Sequence, residues 1–258
     1  MRAFLKKNRY SLLTLLSVAV LLAVWEIVGV AMNKDYFLPP FSQVAKRFFQ
    51  LFTEKNFYLA LGNTLKRCAI GFFSAFAAGL LLGLVSGKLR ALRALIRPVV
   101  SFFRTTPVMA LTLLILVWFH TQTTPIIIGI IMVFPVVYET MADAVNSVDE
   151  RLLQVAQVYD FKPLERVRYL YFSEVAPYVF SAAATSFGLN IKAVVSAEIL
   201  AYAPRSLGLN MFIAKSDFYE GTALLFAYVL VAVLLSGVFE AILRFAQKRI
   251  CSKWEAAQ

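Results

Sequence analysis

Apolar residues in this chain gather into six long runs, at 11–32, 68–86, 99–119, 124–142, 175–200 and 222–239, and the stretches between them hold most of the charge. An α-helix needs about 20 apolar residues to cross roughly 30 Å of hydrocarbon. The pattern therefore predicts an all-α membrane protein with six transmembrane helices, built as a single domain over 1–258. The first run follows Arg2, Lys6, Lys7 and Arg9. It is longer than the apolar stretch of a secretory signal, and no small-x-small cleavage site follows it, so it is expected to stay as a span.

Between the first two runs, Pro39 and Pro40 stop the chain. Phe41, Val44, Ala45, Phe48 and Phe52 then recur at helical spacing, with Lys46 and Arg47 opposite. This predicts an amphipathic helix over 41–53, lying either flat in the outer interface or against the bundle. In the second run Gly71, Ala75, Gly79, Gly83 and Gly87 recur every fourth residue. Such a stripe of small residues lets two helix backbones approach closely in lipid, so helix packing is its expected role.

Composition agrees with lipid as the main solvent: mean hydropathy is +0.72, with 60% hydrophobic and 16% charged residues. Net charge is +11, and its placement explains it. Sixteen of the 26 Lys and Arg fall in four clusters: Arg2, Lys6, Lys7, Arg9; Lys88, Arg90, Arg93, Arg97; Arg151, Lys162, Arg166, Arg168; and Arg244, Lys248, Arg249, Lys253. All four lie on one side of a six-span layout, and only Lys34, Lys46, Arg47, Lys55, Arg205 and Lys215 on the other. The positive-inside rule then puts both termini in the cytoplasm, and no nucleic-acid partner is needed to explain the charge.

The two cysteines, Cys68 and Cys251, form no metal or disulfide pattern, and the single histidine, His120, excludes any two-His metal site. No metal is expected. His120 follows an aromatic stretch near the end of the third run and is read as an interface anchor. Gly83 to Lys88 is one residue short of a phosphate loop and is followed by Leu89 where Ser or Thr is required. No catalytic residues are assigned.

Polar residues inside the runs say more, because each is costly in lipid and must face the bundle, a water path or a partner. Glu26, Glu139 and Asp143 lie near span ends, where pairing or snorkelling accounts for them. Arg104, Thr105, Thr106 and Pro107, at a step that bends a helix, and Lys192 with Glu198 are candidates for a translocation pathway. Lys192 and Glu198 are six residues apart, about 120° on a helical wheel, which argues against a direct pair. Lys192 either offers a cation to an anionic solute or pairs with an acid on another span such as Glu139. Glu198 is read as a gate or structural contact.

Residues 147–174 interrupt the apolar pattern with a charged helix, turn, helix. Ser147 and Glu150 have capping-box spacing, which predicts a helix start. Leu152, Val155, Ala156 and Tyr159 form one apolar face. Asp160 tolerates a left-handed turn, and Pro163 suits the start of a second helix carrying Arg166 and Arg168. A cytoplasmic knob with exposed apolar and basic surface is suited to docking into a protein groove. The alternative is a loop folded onto its own bundle or onto anionic lipid.

This stretch resembles the EAA loop of ATP-binding-cassette importer permeases. Gln154-Val155-Ala156 stands for Glu-x-Ala, Asp160 for the following Gly, Phe172-Ser173 for Leu-Pro, and Val175-Ala176-Pro177 for the start of the next span. The similarity runs from about residue 37 to 249, through "FLPPFSQVAKRF", "NTLKRCAIGF", "FRTTPVMALTLLILVWF" and "SAEIL...RSLGLNMF". It is similar to the sulfonate, taurine, nitrate and bicarbonate branch, with relatives that carry vitamin-precursor heterocycles. The resemblance implies a type I importer permease fold in a bacterial inner membrane. It also implies a coupling loop of Leu152, Gln154, Val155, Ala156, Tyr159, Asp160, Pro163, Arg166 and Arg168. The implied partners are a separate ATPase holding ATP and Mg, a second permease copy or paralogue, and an external solute-binding protein. The rival classes are an ion-coupled carrier or channel using Arg104, Lys192 and Glu198, and behind it an intramembrane enzyme.

Overall fold

The computed structural model describes residues 2–148, 151, 154, 156, 158–162, 172–217 and 221–255. Among the described residues the regular structure is helical throughout. The helices are α1 (Arg2–Met32), α2 (Phe41–Leu51), α3 (Lys55–Lys88), α4 (Arg90–Thr105), α5 (Val108–Leu116), α6 (Thr124–Asn146), α7 (Phe172–Ala201), α8 (Leu207–Ser216) and α9 (Gly221–Glu255). Five of them are long and apolar enough to cross a membrane, or six if α4 and α5 count as one span.

That pair replaces the unbroken helix expected over 99–119 with two helices. Helix α4 starts at Arg90 and ends at Thr105, and α5 leaves it at 102°. Pro107 has no N–H to continue the ladder and pushes Thr106 into extended backbone, with ψ at 131°. The Thr105 and Thr106 hydroxyls turn back to donate to the carbonyls of Ser101 and Phe102, at 3.0 and 2.7 Å.

Other bounds move for simpler reasons. Helix α3 begins at Lys55 instead of 68, because Asn63, Lys66 and Arg67 interrupt the apolar run without interrupting the helix. Helix α2 ends at Leu51, two residues short of the predicted bound. Helix α8 is not predicted by the apolar pattern. Ser147 stands at the C-cap of α6, where its hydroxyl donates back to the Ala144 carbonyl at 2.9 Å, and residues 151, 154, 156 and 158 beyond it are helical. Glu150, its expected capping partner, lies outside the described residues.

The chain divides into two compact units, 1–59 with 210–231, and 60–209 with 232–258. In the first, Pro40 stands at the N-cap of α2 and supplies no side-chain cap. Glu26 of α1 caps the helix in its place. The Glu26 carboxylate accepts from the Ser42 backbone N–H at 2.9 Å and from the Ser42 hydroxyl at 2.8 Å. A carboxylate at a helix N-terminus satisfies orphan donors and meets the positive end of the dipole. Trp25 Nε1 donates to the Pro39 carbonyl at 3.1 Å and packs its ring against Phe41 and Phe226.

In the second unit α6 and α7 pack along each other, and Leu111 of α5, Ile128 and Met132 of α6, and Ala193 and Ala197 of α7 share one apolar cluster. Helix α3 presses its small residues onto α6. A Cβ on Gly79 would stand 2.9 Å from the Val137 Cβ, one on Gly83 2.6 Å from the Tyr138 carbonyl oxygen, and one on Gly87 2.6 Å from the Val145 Cβ. A Cβ on Gly71 would stand 3.1 Å from the Ile126 carbonyl oxygen, and Ala75 is fully buried. Asn190 of α7 fastens the junction by donating to the Cys68 carbonyl at 2.8 Å.

Candidate functional site

Glu198 of α7 is fully buried. A lone carboxylate there would be prohibitive, and the chain surrounds it with donors. Arg67 Nη1 reaches it at 2.8 Å, the Thr64 hydroxyl at 3.0 and 2.9 Å to its two oxygens, and the Gly208 N–H at 3.2 Å. The Thr64 oxygen itself accepts from the Leu207 N–H at 3.0 Å, and Arg67 Nη2 donates to the Pro204 carbonyl at 3.1 Å. One knot thus ties α3, α7 and the start of α8.

Local sequence builds that knot. Tyr202 and Arg205 take left-handed backbone, φ 50° each, to turn the chain sharply after α7. Ser206 then caps α8 through the Leu209 N–H at 3.0 Å. Position 208 must be glycine, since a Cβ would stand 2.5 Å from the Glu198 Cβ and 2.7 Å from the Val195 carbonyl oxygen. Only a bare backbone brings the α8 N-terminus this close to the carboxylate.

Lys192, on the same helix, is exposed and makes no hydrogen bond or ion pair among the described residues. Its suggested partner Glu139 is held instead by Arg104. The pairing reading of Lys192 with Glu139 is therefore corrected. Four residues on from Glu139, Asp143 accepts from Arg93 at 2.5 Å. Thr105, Thr106 and Pro107 form the α4–α5 corner.

Of the coupling-loop residues, Leu152, Val155, Pro163, Arg166 and Arg168 lie outside the described residues. Gln154 is exposed, and Asp160 has φ 51° in the left-handed region. The Phe161 N–H closes the turn on the Ala156 carbonyl at 3.0 Å. Ala156 is 1% exposed, which corrects its placement on an outward apolar face: it faces inward and roots the loop. Tyr159 is 73% exposed and Val158, which the helical spacing did not select, 82%.

Sequence reasoning missed Thr64, Arg67 and Gly208 as partners of Glu198. The available signal was a pair of polar groups three residues apart, Thr64 and Arg67, entering an apolar run. It also missed Val158, since periodicity measured from Leu152 assigns it to the polar side.

The site thus sets ionic groups, one set buried and one exposed, on helices long and apolar enough to cross a membrane. The chain belongs to the family described as binding-protein-dependent transport system inner membrane component, which matches residues 76–252. It is 23% identical over 242 residues to the Bacillus subtilis (strain 168) permease SsuC, named for aliphatic sulfonates transport, covering 93% of this chain and 86% of that one. It is 23% identical over 250 residues to the taurine transport system permease protein TauC of Escherichia coli (strain K12), covering 94% and 90%. Among solved structures, an inward-facing MetNI methionine ABC transporter chain superposes with a TM-score of 0.55 at 17% identity. That match covers 76% of this chain and 96% of the other, and it establishes likeness of fold.

Proposed function

We propose that this chain is the membrane-crossing subunit of an ATP-driven importer that passes a small oxyanion-bearing solute, of the sulfonate or taurine kind. Energy comes from a separate ATPase subunit that holds ATP and Mg, and solute from an external binding protein. Two copies of the chain, both with cytoplasmic termini, enclose the pathway. The substrate class is supported by the names of the relatives over nearly their full length, and the orientation by the Lys and Arg clusters.

The observation that carries the coupling reading is the burial of Ala156 beside the exposure of Val158 and Tyr159. Ala156 is anchored in the body while Val158 and Tyr159 project an apolar tip. A tip fixed at its root transmits a push, whereas a loosely held one absorbs it. ATPase closure would move the two tips together and rock the helix bundles around the pathway.

Substituting Val158→Asp or Tyr159→Asp places a charge that docking must desolvate. The expected outcome is a protein with wild-type melting that no longer co-purifies an ATPase and no longer supports ATP-dependent taurine uptake in proteoliposomes. Wild-type capture and uptake in both variants would sink the coupling reading. Uptake by the chain alone under an ion gradient would replace it with an ion-coupled carrier.

A further inference from the structure

Helix α4 reads "RALRALIRPVVSFFRT", and its basic residues follow a rule. Arg90, Arg93, Arg97 and Arg104 fall at i, i+3, i+7 and i+14, which at 100° per residue confines them to an arc of about 60°. Leu95, Val99 and Phe102 occupy the rest and are exposed. Among the described residues, two carboxylates line the cavity beside the arginine row, Glu139 and Asp143, one helical turn apart on α6. Arg104 takes the first and Arg93 the second. Arg90 and Arg97 make no hydrogen bond or ion pair among the described residues.

Arg90, Arg93 and Arg97 line a cavity of about 490 Å³ with Tyr138, Glu139 and Asp143. Tyr138 is an independent sign of a missing occupant. It is 2% exposed, and its hydroxyl is one of the buried polar atoms left without a partner. Buried hydroxyls in native structures are almost always satisfied, by protein or by something bound. Four guanidinium groups against two carboxylates leave two positive charges over, and the two unpaired groups belong to the cavity wall.

We propose that this cavity is a binding site for an oxyanion of the phosphate or sulfate class, carried either by a free ion or by the headgroup of an anionic lipid. Guanidinium forks match such oxygens in bidentate fashion, and a buried phenol completes the cradle as a donor. The carboxylates fix Arg93 and Arg104 and so hold the row in place, while Arg90 and Arg97 remain available to the guest. Since Asp143 lies in the last turn of α6, the site stands at the foot of the 147–174 loop. The inference depends neither on the ATPase nor on the identity of the transported solute.

The test uses the full chain in phosphatidylcholine nanodiscs with radiolabelled sulfate, and in parallel nanodiscs containing phosphatidylglycerol read by native mass spectrometry. A free-ion site gives saturable sulfate binding, weakened about tenfold or more for each guanidinium lost in Arg90→Gln and Arg97→Gln, and several-fold in Tyr138→Phe. A headgroup site gives no sulfate binding but retains phosphatidylglycerol through detergent washing in the wild type, and loses it in the double variant. In the unmodified chain, the bound ion or lipid should shield Arg90 and Arg97 from phenylglyoxal, which needs no variant to fold. The proposal is overturned if a double variant of wild-type melting temperature binds both probes unchanged. It is equally overturned if the wild type binds neither and phenylglyoxal labelling is indifferent to both.

Discussion

Two ionic assemblies in the 60–209 unit handle charge in opposite ways. Around Glu198 the described polar groups are paired and buried, and they come from α3, α7 and the start of α8. Along α4 and α6 the ion pairs are half-exposed, and cations outnumber carboxylates. Burial makes each bond in the first assembly hard to lose, because breaking one leaves a buried charge alone. Exposure makes each pair in the second worth little to stability, and Arg90 and Arg97 stand beyond the two carboxylates. One arrangement fixes helices and the other leaves charge to spare.

That contrast is broken most severely at Glu198. Glu198→Ala leaves Arg67 buried without its partner and is expected to remove about 3–5 kcal/mol of stability, seen as a large drop in melting temperature in detergent. Adding Arg67→Met should recover part of the loss, with the two effects clearly non-additive. A small change in the single variant would mean that water reaches the knot.

Packing beneath both assemblies gives an intermediate effect. Gly83→Leu must displace the Tyr138 backbone and is expected to destabilise by about 1–3 kcal/mol, whereas Gly237, whose Cβ would meet nothing within 4 Å, should accept Ala with little change. Equal melting of Gly83→Leu and wild type would contradict the close α3–α6 approach.

The smallest effect belongs to the Arg93–Asp143 pair, whose side chains are 41% and 65% exposed. Asp143→Asn should change stability by about 0.2–1 kcal/mol, and less as salt is raised. A loss as large as that of Glu198→Ala would erase the distinction drawn between the assemblies.

Much of this was legible in sequence, and the limits have physical causes. Apolar run length pointed to five helices long and apolar enough to cross lipid and to the bent α4–α5 pair, since hydrocarbon thickness acts on every run alike. The four-residue stripe from Gly71 to Gly87 announced a close approach but not α6 as its target, because spacing describes one surface only. Arg67 and Glu198 are 131 positions apart, and nothing local links them. Ser147 shows a local rule with two outcomes: the same hydroxyl that can cap forward can also donate back, and here α6 holds it. The arginine row of α4 reads as topology in the sequence, and its common face emerges only because the helix begins at Arg90.

The Glu26 carboxylate has a consequence for modularity. Helix α2 does not carry its own start signal and takes one from α1, sixteen positions earlier. Trp25 and Pro39 add a second fastening within the same stretch. Both lie ahead of residue 76, where the family match begins. The joints between α1 and α2 are therefore made from their own residues, while Trp25 also packs against Phe226 of α9 in the same unit. A chimera exchanging residues 1–53 between relatives should keep those joints intact, while a cut between α1 and α2 would deprive α2 of its cap.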